Sequence, residues 1–450
     1  MTTIWLETAL LPEGWANRVR ITMASGRIAA IETEVPADAS DERHVIALPG
    51  LCNVHSHAFQ RGMAGLAEHR GDGEDNFWSW REVMYRFLDH LDPDDVEAIC
   101  AMAFKEMLET GYTRVGEFHY LHHDVDGQPY RDPAELAGRV VAAARSVGIG
   151  LTLLPVFYAH SNFGGQAANH GQRRFVNDID GFALLLAACQ ALLADDDVLG
   201  IAPHSLRAVT AEELAALAMM QPLGQMHIHV AEQAKEVRDS VAYSGARPVE
   251  WLLAHADVDA RWCLIHATHV TESETDAMAA SGAVVGLCPV TEANLGDGIF
   301  PAVRFLRKGG RIATGTDSNI LIDPAQELRT LEYSQRLAHQ ARNVLASDQH
   351  RSVARRLFEA SLAGGAQALG VEPGLVVGNA ADIVTLGADN PDLHGGHGDR
   401  PLDHWVFAAR NNCIDAVWRY GRKMVAGGRH RDAAPITARY RKVLERILAA

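Results

Sequence analysis

The feature that most constrains the fold is an alternation of short apolar runs with longer helical stretches between residues 51 and 371. Such alternation is typical of βα units that build a parallel sheet. The predicted strands are 51–57, 112–118, 150–158, 199–206, 225–230, 262–268, 283–289 and 311–316. The predicted helices between and after them include 93–109, 133–147, 179–194, 211–220, 248–255, 324–340 and 347–369. Eight units over about 320 residues predict an α/β fold of the (β/α)8 barrel type, with a doubly wound open sheet as the alternative.

The segments on both sides of this region are rich in strand-forming residues. Before the barrel the predicted strands are 4–9, 18–23 and 27–32, and after it they are 381–386, 405–408 and 414–420, with a turn-rich continuation at 422–428. We expect these segments to fold together into one small β-sandwich, followed by an amphipathic helix at 434–448. The expected domains are residues 1–48, 49–371 and 372–450, of which the first and last share the sandwich.

The composition excludes several function classes. The 450 residues carry a formal net charge of −16, which argues against general binding to nucleic acid or to anionic membranes. No apolar run reaches the roughly 18 residues that a membrane span needs, and the first residues lack the pattern of a signal peptide. We therefore expect a cytoplasmic protein whose six scattered cysteines are reduced.

Polar residues lie at the ends of the predicted strands, where enzymes with this barrel place their chemistry. The first strand closes with His55 and His57, which share a face because alternate strand residues do. The fifth carries His229, with Glu232 three residues later, and the eighth leads to Asp317. Taken alone, an aspartate at this position is better explained as a cap of the following helix than as a metal ligand. Together, three imidazoles and one carboxylate suit zinc with a position left for water, and Glu232 can move protons to a leaving group.

This order of residues resembles the amidohydrolase superfamily over nearly the whole chain, including the entry segment 48–57. The metal ligands that the resemblance implies are His55, His57, His229 and Asp317. The catalytic residues that it implies are Glu232, His266 and Asp317. It assigns His227 and His269 to supporting roles outside the metal's own ligands. Pairing is common in the family, which leads us to expect a homodimer.

The fourth predicted strand, residues 199–206, contains no lysine. Two-metal members of the superfamily use a carboxylated lysine there, and the nearest lysines, Lys105 and Lys235, lie in helical or post-strand segments. The resemblance therefore implies one metal per chain and the deaminase branch. Zinc is expected, although iron and manganese occupy similar nitrogen and oxygen sites.

The loops resemble, more narrowly, the family of N-formimino-L-glutamate deiminases of histidine degradation. The stretches that carry this resemblance are 59–66, 76–85, 116–123 and 204–207. It implies a small dicarboxylate substrate and the binding residues Gln60, Arg81, Tyr120, His204 and Arg207. Arginine is suited to holding a carboxylate in a bidentate fork, and Arg81 and Arg207 offer one fork for each carboxylate. The nearby His119, His122 and His123 are expected to lie in a solvated loop.

The implied reaction is hydrolysis of the formimino group to N-formyl-L-glutamate and ammonia, with Asp317 and His266 taking a proton from water and Glu232 delivering one to the departing nitrogen. One alternative is a deaminase of an aromatic base such as guanine, cytosine or an adenosine-like compound, which Trp78 and Trp80 keep open. Another is a barrel that has lost catalysis and serves as a binding module. Loss of a ligand or of Glu232 would mark that case, and neither is lost.

Overall fold

A computed structural model describes residues 1–70, 73, 75–387, 390–393, 397–409 and 413–449. The chain begins with four strands, β1 (Thr2–Leu11), β2 (Gly14–Ala24), β3 (Arg27–Glu32) and β4 (Glu42–Pro49). One residue, Gly50, separates β4 from the first strand of the next unit. The small N-terminal unit is therefore joined to the rest of the chain without a linker.

The next strands close into a barrel. They are β5 (Leu51–Ser56), β6 (Tyr112–His119), β7 (Gly150–Phe157), β8 (Val198–Leu199), β9 (Ala202–Pro203), β10 (Met226–Val230), β11 (Trp262–His266), β12 (Val284–Leu287) and β13 (Arg311–Thr314). Their ladders are parallel, and β8 and β9 are two halves of the fourth barrel strand, both paired with β7. Parallel bridges join Ile201 to Met226 and Ser56 to Asp317. The second bridge joins the eighth strand to the first, so the barrel prediction is confirmed and the open-sheet alternative is wrong.

The fourth barrel strand is less regular than the continuous strand expected over residues 199–206. The amide of Gly200 donates to Leu153 of β7 (2.9 Å), and the amide of Ile201 donates to Gln225 beside β10 (2.9 Å). Pro203 has no amide hydrogen to donate. The pairing with β7 keeps one register on both sides of Gly200 and Ile201, with Thr152 opposite Val198 and Val156 opposite Ala202, so the two short pieces belong to one barrel strand.

Helices surround the barrel and cover its ends. They are α1 (Phe77–Leu88), α2 (Pro93–Thr110), α3 (Glu135–Val147), α4 (Ile179–Leu192), α5 (Ala211–Met220), α6 (Ala234–Ser244), α7 (Pro248–His255), α8 (Glu272–Ser281), α9 (Pro289–Leu295), α10 (Ala302–Arg307), α11 (Pro324–His339), α12 (Val353–Leu369), α13 (Arg400–Phe407) and α14 (Ala433–Leu448). Their ends follow local rules: α2 begins after the capping carboxylate of Asp92, and Gly111 ends it in a left-handed conformation. In the described part of the chain, no helix combines the length and apolarity needed to span a membrane.

The N- and C-terminal segments fold together, as predicted. The last strands are β14 (Ile383–Leu386), β15 (Ile414–Arg419), β16 (Arg422–Ala426) and β17 (Arg429–His430). With β1–β4 they form one hydrogen-bonded sheet in the order β17-β16-β15-β14-β4-β1-β2-β3, where β14 runs antiparallel to β4. The sheet buries a core of its own that includes Leu6, Ile21 and Trp418.

Two predictions for the C-terminal region are wrong. Residues 405–408 were expected to form a strand but lie at the end of α13. The buried residues of α13 are Pro401, Leu402, Trp405 and Val406, and the i, i+3, i+4 spacing of the last three is the period of a helix with one apolar face. The stretch 422–428, expected to be turn-rich, contains strand β16, which pairs with β15.

Candidate metal centre and active site

The four predicted ligands meet at the C-terminal mouth of the barrel. The Nε2 atoms of His55 and His229 lie 3.0 Å apart across the barrel. The Oδ1 atom of Asp317 lies 3.3 Å from His57 Nε2 and 3.5 Å from His55 Nε2. The alternation along β5 and the closing bridge between Ser56 and Asp317 bring these atoms together, although they are up to 262 positions apart in the sequence.

The donor set fits a metal ion. The Nδ1–H groups of His57 and His229 donate to the carbonyls of Phe118 (2.9 Å) and His204 (3.0 Å). A carbonyl only accepts, so Nδ1 carries the proton and Nε2 presents a lone pair to the centre. Several lone pairs and a carboxylate oxygen within 3.0–3.5 Å repel one another unless a cation lies between them.

The electrostatics favour the ligating forms of these side chains. Burial lowers the pKa of His55 to about 3, and it also lowers the pKa values of His57 and His229. They are therefore neutral imidazoles at neutral pH, which is the form that binds metals. Burial opposes ionisation of Asp317, but the contact with His55 and the neighbouring imidazoles hold the pKa of Asp317 well below its usual range.

His266 is positioned differently. Its Nδ1 contacts Oε1 of Glu292 (3.1 Å), while its Nε2 faces Asp317 Oδ2 (3.8 Å) and Glu232 Oε1 (4.0 Å). Burial would lower the pKa of His266, but the charge of Glu232 and the contact with Glu292 raise it to about 10. His266 can thus accept and hold a proton beside Asp317. The sequence reasoning missed Glu292, because it lies on α9 and no strand pattern marks it.

Glu232 lies just beyond β10 and is buried, with 5% of its surface exposed. Burial raises the pKa of its carboxyl above the ordinary range, so this group can exchange a proton near neutral pH. The backbone around the site is unusual. Ala231, His266 and Asp317 have φ angles of 51°, 67° and 46°, a left-handed region that side chains other than glycine rarely adopt. Strain of this kind is common at functional sites and requires firm support from the surroundings.

Asp317 is held by a polar network that the sequence did not reveal. Asn53 accepts from the amide of Thr316 (3.0 Å) and donates to its hydroxyl (2.7 Å). Asn319 accepts from the same hydroxyl (2.6 Å) and donates to Ser56 (3.1 Å). Because every one of these side chains is buried and hydrogen-bonded, the network fixes the backbone that carries Asp317.

One cavity connects this centre with the predicted substrate residues. The side chains that line it include His57, His229, Glu232, His266 and Asp317, and also all five predicted binding residues, Gln60, Arg81, Tyr120, His204 and Arg207. Gln60 donates to the hydroxyl of Tyr120 (2.8 Å), and His204 Nδ1 lies 3.1 Å from the hydroxyl of Ser205.

Two arginines line this cavity. Arg207 is 4% exposed, and its buried Nε makes no hydrogen bond with the described residues. Its nearest carboxylate is Glu236, with Nε and Oε2 3.9 Å apart. The guanidinium carbon of Arg81 lies 4.5 Å from the ring centre of Trp78, and its Nε is likewise buried without a hydrogen bond inside the described ranges. Both guanidinium groups thus have donors left over for an anionic ligand.

Of the aromatic wall of the cavity, the sequence analysis singled out only Trp80 as a pocket residue. The members of the wall are Phe77, Trp80, Tyr85, Tyr158 and Phe175. They come from α1 and from the connection between β7 and α4, so no periodic pattern groups them. Trp78, which was considered for aromatic stacking with a base, stacks under Arg81 instead.

Two of the other histidines mentioned in the sequence analysis contact backbone carbonyls of helix α12 and strand β7. The Nε2 atom of His227 contacts the carbonyl of Ala368 (2.8 Å), and that of His122 contacts the carbonyl of Val156 (2.8 Å). His119 and His122 are 1% and 2% exposed, so the expectation of a solvated loop is wrong for them. The groups of His, Cys, Asp and Glu side chains close enough to share a metal, as far as the chain is described, contain none of these three residues.

The chain belongs to the amidohydrolase family, whose sequence model matches residues 46–424. Residues 1–45 match the model described as "Formimidoylglutamate deiminase HutF, N-terminal domain". A formimidoylglutamate deiminase of Pseudomonas aeruginosa is 50% identical over 434 residues, which cover 96% of each chain. A 5'-deoxyadenosine deaminase of Methanothermobacter thermautotrophicus is 26% identical and covers 93% of this chain and 92% of its own. The crystal structure of an amidohydrolase from Brucella melitensis superposes with a TM-score of 0.96, 54% identity and complete coverage of both chains. These findings confirm the predicted superfamily.

Proposed function

We propose that this chain hydrolyses N-formimino-L-glutamate to N-formyl-L-glutamate and ammonia in histidine degradation, with one zinc ion bound by His55, His57, His229 and Asp317. The observation that carries the proposal is a single cavity lined by two different sets of groups. One set is the cluster suited to a cation, and the other is Arg81 and Arg207, which have donors unused by the described residues. A glutamate derivative with two carboxylates and one amidine-like group matches both features. The relative that is 50% identical carries the name of this activity.

The proposed cation is zinc because three imidazole nitrogens and one carboxylate oxygen are its usual ligands. One ion per chain is proposed because the fourth barrel strand, residues 198–203, has no lysine to bridge a second ion. Zinc in such a site lowers the pKa of a water ligand from about 16 to about 7.

The chain's own residues would then move the protons. Asp317 accepts the first proton from the attacking water, and His266, whose Nε2 lies 3.8 Å from Asp317 Oδ2, stabilises it there. Glu232 would give a proton to the imino nitrogen while a C–O bond forms at the formimino carbon and the C=N bond becomes single, and the proton taken by Asp317 would replace it by way of His266, whose Nε2 lies 4.0 Å from Glu232 Oε1. The proton of the new hydroxyl group would then reach the same nitrogen through Glu232 as the C=O bond forms and the C–N bond breaks. Ammonia leaves with one proton from each O–H bond of the water, and Glu232 and Asp317 return to their starting forms. A proton-transfer residue of this kind contributes about 10²- to 10⁴-fold to the rate.

Arg81 and Arg207 would hold the two carboxylates and fix the formimino carbon beside the metal centre. Holding reactants in place supplies up to about 7–11 kcal/mol in favourable systems. Gln60, Tyr120 and His204 line the cavity as additional polar groups and would complete the binding of the substrate.

A deaminase of an aromatic base is the second candidate. It is supported by the aromatic wall and by relatives of about 27% identity that are named 5-methylthioadenosine/S-adenosylhomocysteine deaminases. A neutral base would leave buried Arg207 without a charged partner at hydrogen-bond distance, which is costly. This observation favours the dicarboxylate.

The test measures ammonia release from N-formimino-L-glutamate, guanine, cytosine and 5-methylthioadenosine, with metal quantified per chain. We expect kcat/KM for N-formimino-L-glutamate to exceed the others by roughly 10⁴-fold, because a site built for charged groups rejects neutral analogues strongly. Faster turnover of guanine, cytosine or 5-methylthioadenosine would contradict the proposal. The homodimer and the cytoplasmic location stay predictions, which light scattering and cell fractionation would check.

A further inference from the structure

Glu236 is a buried carboxylate that the proposed reaction does not use directly. It is the third residue of α6, and its side chain has no exposed surface. A glutamate at this position of a helix usually reaches back to the amide of the N-cap residue. Here the carboxylate reaches further back, to the segment between β10 and α6.

The carboxylate of Glu236 accepts hydrogen bonds from two consecutive backbone amides, those of Ala231 and Glu232. Its Oε1 accepts from the amide of Ala231 (3.0 Å), and its Oε2 accepts from the amide of Glu232 (3.2 Å). Ala231 has a φ angle of 51°, so this segment needs external support to keep its shape. The direction in which Glu232 leaves the backbone therefore depends on Glu236.

The same carboxylate also faces the substrate-binding cation. Its Oε2 lies 3.9 Å from Nε of Arg207, and this is the one carboxylate within 4 Å of that guanidinium in the described part of the chain. Both side chains are buried, so the attraction is weakly screened by solvent. Glu236 thus touches the proposed proton carrier's backbone and the proposed carboxylate-binding arginine at once.

We propose that Glu236 is a positioning residue that fixes the positions of Glu232 and Arg207 relative to each other. A substrate carboxylate held by Arg207 then places the departing nitrogen within reach of Glu232. This inference rests on the proposed function. It requires that loss of the Glu236 charge changes both kcat and KM, because one contact supports proton delivery and the other supports substrate binding.

The experiment compares Glu236→Gln, Glu236→Asp and a matched control, Glu274→Gln, with the wild-type holoenzyme. Glu274 is likewise buried and is the third residue of its helix, α8. Its carboxylate accepts hydrogen bonds from backbone amides and forms an ion pair with Arg247 (2.7 Å). It is absent from the lining of the active-site cavity. Each variant is assayed for kcat and KM with N-formimino-L-glutamate, for metal content and for Tm.

Gln keeps the volume of Glu236 but loses the charge, and it replaces one of the two accepting oxygens with an NH2 group that cannot accept from a backbone amide. We expect Glu236→Gln to bind metal as the wild type does, to lose about 10- to 100-fold in kcat, the cost of misplacing a reacting group by about an ångström, and to show a raised KM. Glu236→Asp, which restores the charge, is expected to recover part of both. Glu274→Gln is expected to lower Tm while its kcat and KM stay within about twofold of wild type.

Kinetics of Glu236→Gln that match those of Glu274→Gln would overturn the inference and leave the proposed function standing. If Glu236→Gln does not fold, Glu236→Asp decides: reduced kcat at a Tm no lower than that of the control supports the role, and unchanged kinetics contradict it. A wild-type enzyme that releases no ammonia from N-formimino-L-glutamate would overturn the proposed function itself, and this inference with it.

Discussion

Replacing Arg207 with lysine is the sharpest test of how the cavity recognises its substrate. Lysine keeps the positive charge opposite Glu236, so the buried carboxylate is not left without a cation. It loses the planar fork that can bind a carboxylate through two parallel hydrogen bonds. The substitution therefore isolates the recognition geometry from the charge.

The expected magnitude follows from the environment of the guanidinium. Arg207 is 4% exposed, so water cannot replace the lost contact easily. A hydrogen bond between charged groups in such a place contributes about 1.5–3 kcal/mol. Because tenfold in rate corresponds to about 1.4 kcal/mol, kcat/KM should fall roughly 10- to 150-fold. Most of the loss should appear in KM, since the carboxylate is bound equally in the ground state and the transition state.

The assay is initial-rate ammonia release with N-formimino-L-glutamate, followed in parallel with metal content and Tm. Arg114→Lys is the matched control, because Arg114 is also buried but donates to the carbonyl of Leu151 (2.8 Å) and pairs with Asp196 (3.1 Å) outside the active-site cavity. The control is expected to lower Tm and to leave KM unchanged. A KM for Arg207→Lys within twofold of wild type would refute the assignment of Arg207 to a substrate carboxylate.

Three further predictions follow. Glu232→Gln should retain metal but lose about 10²- to 10⁴-fold in kcat, as expected for a proton carrier, and a variant with near wild-type kcat and full metal content would contradict that role. Removal of the metal with a chelator should abolish ammonia release and lower Tm, and added zinc should restore both; activity that survives with no metal detected by mass spectrometry would argue against the centre. Burial raises the pKa of Glu327 well above its usual value. Above about pH 4.5 the unfolded state has therefore lost a proton that the folded state keeps. The free energy of unfolding falls as the pH rises from there towards the folded-state pKa. Glu327→Gln should therefore flatten the decline of Tm between pH 5.5 and 8.5, and an equally steep decline in the variant would show that another group is responsible.

Much of the fold was predictable because its signals are local. The eight barrel strands lie close to their predicted positions, since short apolar runs bounded by helical stretches repeat along the chain. Helices α5 and α7 begin and end at the predicted residues, 211–220 and 248–255. The errors occurred where local signals conflict. The buried Trp405 and Val406 suggested a strand, although their spacing from Leu402 is helical. The fourth barrel strand is regular only in two short pieces, β8 and β9.

The candidate ligands were also predictable, because strand alternation puts His55 and His57 on one face and barrel topology puts strand ends at one mouth. The residues that support them were not. Glu292, which orients His266, and Glu236, which holds the backbone at Glu232, lie on helices in patterns that also describe ordinary helix starts.

By itself, the sequence determined the βα rhythm, the enclosing β segments and the residue types of the metal centre, since each of these depends on period and spacing along the chain. Only the tertiary structure decided that the barrel closes, that two arginines share a cavity with the histidines, and that Glu236 contacts both Glu232 and Arg207. The physical reason is distance. Such contacts join residues that are far apart in the sequence, and their geometry depends on how the whole barrel packs.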